Sequence, residues 1–203
     1  MLKLLRNIAK ACFPEYFERK RIRLLNAIIG AGAVIYKSAI ISNTNKKDAV
    51  KIGAGSHIAG MLVNCDKGKI SIGERSFIGE DSRIYAVLNI TIGDNVQIAH
   101  NVNIYDSNIH SLNPKKRQQE FIVNTTQGFT QINDWREQEV IINNNVWIGA
   151  GSFIMKGVSI GENTIIGAGS VVLKSLPPNV VAAGNPSKII KPLDQEDQNQ
   201  IPD

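Results

Sequence analysis

Residues 142–172 read INNNVWIGAGSFIMKGVSIGENTIIGAGSVV, and every sixth position in them is aliphatic: Ile142, Ile148, Ile154, Ile160, Ile166 and Val172. Two residues before each of the last five stand Val146, Ser152, Val158, Thr164 and Ser170, all small or β-branched. Glycine follows the aliphatic position at Gly149, Gly161 and Gly167, where a turning backbone would need the conformational freedom of a residue with no Cβ. Helices repeat near 3.6 and strands near 2. A repeat of six predicts instead a parallel β-helix, in which each hexad supplies a short strand and a corner. Three hexads close one triangular coil, so residues eighteen apart, such as Ile142 and Ile160, stack at the spacing of adjacent strands, about 4.8 Å. The aliphatic column is then the core.

Upstream the repeat is looser. Val34, Ile40, Ile52, Ile58 and Ile70 share one register, broken at Lys46 and Asn64 by loop-like SNTNKK and NCDKGK. The phase then moves by two to Ile72, Ile78 and Ile84, and again to Ile92, Ile98 and Ile104. Two extra corner residues explain such steps, as does an exchange of roles within an I-x-I pair. Residues 1–30 do not follow the hexad: Leu2, Leu4, Leu5, Ile8 and Ala9, then Leu24, Leu25, Ile28 and Ile29, recur at helical spacing on either side of Pro14. They predict a helical extension that caps the rod or packs between subunits, in preference to a membrane-surface helix. The β-helix is expected over 31–186. It carries an aperiodic polar loop at 106–139 and is followed by a tail at 187–203.

Composition excludes several classes. The formal charge of +5 has basic residues clustered at Lys3–Arg23 and Lys115–Arg117. Neither cluster is dense enough, or interleaved with enough aromatics, for a nucleic-acid face. Cys12 and Cys65 form no disulfide framework or CxxC site. With no signal-peptide pattern and no run of about 20 apolar residues, a cytoplasmic protein is expected.

The segment 144–186, NNVWIGAGSFIMKGVSIGENTIIGAGSVVLKSLPPNVVAAGNP, resembles the hexapeptide-repeat acyltransferases, in particular the galactoside and maltose O-acetyltransferase branch. The WIG of its first full repeat, the IGAGSVV and the LPPNVVAAGNPSKII ending carry the likeness. The resemblance implies an all-β, left-handed parallel β-helix, a homotrimer, and acetyl transfer from acetyl-CoA to a carbohydrate hydroxyl in surface polysaccharide assembly, with no metal. The alternatives are antibiotic O-acetylation and a catalytically silent assembly subunit.

His110, in DSNIHSLNP, matches the family's general base. A sugar hydroxyl is a poor nucleophile at neutral pH, and an imidazole, titrating at about 6.5, can take its proton during attack on a thioester. Asp106 either orients that ring or holds the acceptor, or else serves a local turn. The turn to His110 is one residue longer than in the galactoside branch and is similar to the capsule and lipopolysaccharide enzymes. His57 and His100 read as solvent-facing corner residues, and no His/Cys spacing fits zinc. By the same resemblance, acetyl-CoA lies in a groove between subunits. Its pantetheine arm meets backbone near Ala150 and Ala168, its phosphates meet Lys174, Lys188 and Lys191, and Trp147 walls the acyl site or packs at the seam.

Overall fold

The computed structural model describes residues 25–127 and 135–193. Its strands are two to five residues long and wind into a three-faced rod. The first coil holds β1 (Ile28–Ile29), β2 (Val34–Ile35) and β3 (Ile40–Asn43). The second holds β4 (Val50–Ile52), β5 (His57–Ile58) and β6 (Met61–Asn64), and the third β7 (Ile70–Ile72), β8 (Phe77–Ile78) and β9 (Arg83–Ala86). Next come β10 (Ile90–Ile92), β11 (Gln97–Ile98) and β12 (Asn103–Tyr105), and after the excursion β13 (Val140–Ile142), β14 (Trp147–Ile148) and β15 (Phe153–Ile154). The last coil is β16 (Ser159–Ile160), β17 (Ile165–Ile166) and β18 (Val171–Val172), closed by β19 (Val180–Ala183) and β20 (Lys188–Pro192). Each strand pairs in parallel with the one three further on, except that β17 pairs with β19, giving a first sheet from β1 to β16, a second from β2 to β20 and a third from β3 to β18; among the described residues only β19 and β20 pair antiparallel.

The expected stacking holds. Ile142 lies over Ile160, Ile148 over Ile166 and Ile154 over Val172, each fully or almost fully buried. Upstream coils are longer, with Ile52 to Ile72 and Ile72 to Ile92 each twenty residues apart in register. Both explanations of the phase steps apply: Ile70 and Ile72 both point inward, and the corner between Ile84 and Ile92 carries two extra residues.

The small residues before each strand have a physical reason. Ser56 Oγ donates to the Gly73 carbonyl at 2.7 Å and accepts from the Ser76 amide at 2.9 Å, and Ser76 repeats the pattern with Gly93 and Val96. The hydroxyl thus joins one coil to the next where the corner interrupts the ladder, supplying partners to a carbonyl and an amide there.

Four expectations are corrected here. The coil begins by Ile28, not 31, and Ile28–Ile29 form a strand paired with β4 rather than part of a helix; residues 1–24 lie outside the described region. In the first coil the inward residues are Ile29, Ile35 and Ile41, whereas Val34 and Ile40 are exposed. Asn64 is a buried end of β6 rather than loop, and Leu62 takes the core position. The segment 187–203, expected to be a tail, opens with β20, paired to β19, and its residues 194–203 lie outside the described region.

The glycines also act differently from expectation. A Cβ at Gly149 would lie 2.5 Å from the Ala168 amide nitrogen, and one at Gly161 2.2 Å from that of Pro178, so close backbone approach between coils excludes side chains there. The left-handed positions include Gly151, Gly157 and Gly169, and Asn145, Asn163 and Asn179, residue types that tolerate positive φ.

Candidate functional site

The chain leaves the rod after β12 and returns at β13, on the edge where the third sheet meets the first. This excursion, expected to be aperiodic, contains a helix, α1 (Pro114–Gln127). Asn113 Oδ1 accepts from the amides of Lys115 and Lys116 at 3.0 and 3.2 Å, and Pro114 occupies the first turn, where its missing N–H costs nothing. That Asn-Pro start was the readable signal. It was missed because α1 has no apolar stripe: Phe121 and Ile122 are 69% and 52% exposed, and the residue it buries is Glu120.

His110 sits just before this helix, its side chain 62% exposed. Its Nδ1 lies 3.6 Å from Glu120 Oε2, an ion-pair separation longer than a hydrogen bond. The same oxygen accepts from the Ser111 amide at 3.3 Å, and Arg117 Nη1 donates to the Ser111 carbonyl at 3.0 Å. Ile109 has a φ of 65°, a left-handed conformation that a β-branched residue adopts only under constraint. The ring's Nδ1 therefore faces the buried Glu120 carboxylate.

Asp106 does not contact this ring, which corrects its expected orienting role. It is fully buried, and its carboxylate accepts from the amides of Val87, Leu88 and Asn89 at 2.8–3.1 Å. It ties the longer corner of the preceding coil to the root of the excursion, while its own carbonyl accepts from the Gln138 amide at 2.8 Å. Burial pushes its carboxyl above the usual range, with those three amides pulling the other way. Nearby, burial raises Tyr85 to about 12 and pushes the Cys65 thiol up against the pull of the Tyr85 hydroxyl. A thiol held protonated is a poor nucleophile.

The residues expected to hold the donor divide between edges. Ala150 and Ala168 succeed each other where the second sheet meets the third, above His100: the Gly169 amide donates to the Ala150 carbonyl at 2.8 Å and that of Gly151 to the His100 carbonyl at 3.1 Å. Lys188, opposite Ala183, stands at the top of this edge. Trp147, 52% exposed, points outward from the second sheet in register with Ile165, Val181 and Lys191. Lys174 is not with them. It follows β18 on the edge that carries the excursion. His100 is an exposed corner residue as expected, but His57 lies on β5, with Nδ1 3.2 Å from the Tyr36 hydroxyl. Among the described residues, no three His, Cys, Asp or Glu side chains cluster as metal ligands.

Two repeat families match this chain: "Bacterial transferase hexapeptide (six repeats)" over residues 139–174 and "Hexapeptide repeat of succinyl-transferase" over 69–106. A maltose O-acetyltransferase structure from Clostridium difficile 630 is 30% identical with a TM-score of 0.57, the match covering 89% of this chain and 78% of that one. The chain belongs to the hexapeptide-repeat acyltransferases. As in that family, its β-helix is left-handed. This hexapeptide-repeat protein is also 36% identical to the galactoside O-acetyltransferase of Escherichia coli (strain K12), over 64% of its own length and 57% of the relative's. To the polysialic acid O-acetyltransferase of Escherichia coli O1:K1 / APEC it is 38% identical, over 70% and 42%. It thus spans between about two fifths and three fifths of these curated relatives. In the hexapeptide-repeat frame, the residue that reading by motif did not find is Glu120, ten positions beyond the histidine it faces.

Proposed function

We propose that this protein transfers an acetyl group from acetyl-CoA to a hydroxyl of a sugar, within the assembly of a surface polysaccharide, with His110 as general base. The observation that carries the reading is the His110 ring itself, with Nδ1 turned to a buried carboxylate and the rest of the side chain open to solvent. Such a ring can take the hydroxyl proton on Nε2 as the oxygen attacks the thioester carbon, then return it to the departing sulfur. The relatives named for sugar and polysialic acid acetylation support the acceptor class.

Acetyl-CoA, when bound, supplies the acyl group already activated as a thioester. The edge formed by Ala150 and Ala168 suits an extended ligand, since a Cβ built at the neighbouring Gly151 or Gly169 meets nothing within 4 Å. Lys188 stands at its end, where a phosphate is attracted to a cation. His110 and this edge lie on different corners of one rod. A complete site therefore forms when the excursion of one chain meets the alanine edge of the next, and that head-to-tail contact closes into a ring such as a trimer. The outward aromatic residues Phe77, Trp147 and Phe153, each at least 40% exposed, suit the seam. A cytoplasmic setting belongs to the same reading.

The test is release of CoA thiol by the full chain from acetyl-CoA against a panel of sugars, nucleotide sugars and antibiotics. Release that depends on a sugar is expected. Release with an antibiotic alone would move the protein to the xenobiotic branch, and none with any acceptor would leave a silent scaffold.

A further inference from the structure

We propose that Glu120 is the positioning residue of the site, holding His110 as the tautomer that carries its proton on Nδ1. The inference rests on His110 being the base. It starts from a choice in α1 that packing alone does not explain. The helix turns Phe121 and Ile122 to solvent and buries the charged residue beside them, which is 3% exposed. Burying a carboxylate is unfavourable unless it is paired, and local choices that oppose stability concentrate at functional sites.

The pairing is incomplete without the ring. Among the described residues, Glu120 Oε1 is buried with no hydrogen-bond partner, and Oε2 has only the Ser111 amide at 3.3 Å and His110 Nδ1 at 3.6 Å. A neutral imidazole that donates from Nδ1 meets this need and at the same moment leaves the lone pair on Nε2, the nitrogen a base must use. Once Nε2 has accepted a proton, the imidazolium faces a carboxylate that is itself buried, which strengthens their attraction over that of a fully solvated pair. Catalytic contacts of this kind are often long before substrate binds and shorten afterwards.

A second, separate observation shows that the backbone is bent to deliver the ring. Ile109, the residue before His110, holds a φ of 65°, a left-handed conformation that is unfavourable for a β-branched residue. It persists because the next residues are held from the other side, Ser111 by Glu120 and the carbonyls of Ser111 and Leu112 by Arg117. Strain over-determined in this way is typical of a positioned catalytic group.

The experiment pairs kinetics with ¹⁵N NMR of the histidine rings in the full-length protein, the His110 signals being assigned by their loss in His110→Ala. Glu120→Gln keeps the shape and the Ser111 contact. It is expected to lower kcat about 10- to 100-fold with KM for acetyl-CoA unchanged, and to shift His110 from the Nδ1–H tautomer towards a mixture. Glu120→Asp, which keeps the charge, should recover part of kcat, and a thermal melt establishes that both variants fold. The proposal is overturned if the Gln variant keeps its kcat, or if it loses kcat while the His110 tautomer stays the same. The tautomer is read without substrate, so it still reports on Glu120 should His110→Ala prove active and the base assignment fail.

Discussion

His110→Ala is expected to fold, assemble and bind acetyl-CoA as the native chain does while losing about two to four decades in kcat with its sugar acceptor. That loss corresponds to about 3–5 kcal/mol of transition-state stabilisation. The side chain is mostly exposed and belongs to no aliphatic column, so its removal takes nothing from the core and costs only its contact with Glu120, about 1 kcal/mol. Replacing His57, on a strand of the second sheet, or His100, on a corner, should leave turnover unchanged. Steady-state kinetics beside a thermal melt checks all three. Turnover near the native level in His110→Ala would remove the proposed base.

Asp106→Ala should instead fail in stability. Three amides, of Val87, Leu88 and Asn89, would lose an ionised acceptor inside the protein. Bonds to charged groups contribute about 1.5–3 kcal/mol each, and with water entering the space left behind, a total cost of about 3–5 kcal/mol is expected. In a chain of this size that lowers Tm by roughly 10 °C. Asp106→Asn keeps one acceptor oxygen and should fall between. Protein that remains folded should turn over normally, because the carboxylate touches backbone and not the His110 ring. An unchanged melt with a collapsed kcat would return Asp106 to the catalytic machinery.

The two aspartate accounts, ring or turn, could not be separated by reading the chain because the deciding partners lie seventeen to nineteen residues upstream. They become neighbours only when one coil stacks on another. The same dependence explains the first coil. The pairs Ile28–Ile29, Val34–Ile35 and Ile40–Ile41 each offer two aliphatic residues, and which one faces inward is settled by pairing with the second coil. From Ile142 onward one aliphatic phase runs unbroken with eighteen-residue coils, so the columns could be read directly. Glu120 was the least legible. Its role depends on a helix whose buried face is charged, and hydrophobic periodicity cannot register such a face.

The account's central claim is that His110 of one chain acts on a donor lying along the alanine edge of another, and subunit complementation tests it most directly. His110→Ala removes the base, and Ala168→Trp obstructs the edge at an exposed corner position. Each variant alone should be inactive. Co-expressed in equal amounts, they should recover about one quarter of the native activity, the share of interfaces that join an intact histidine to an intact edge. Mixed assemblies that form yet recover no activity would mean that the histidine and the edge serve one and the same chain, contradicting the shared site.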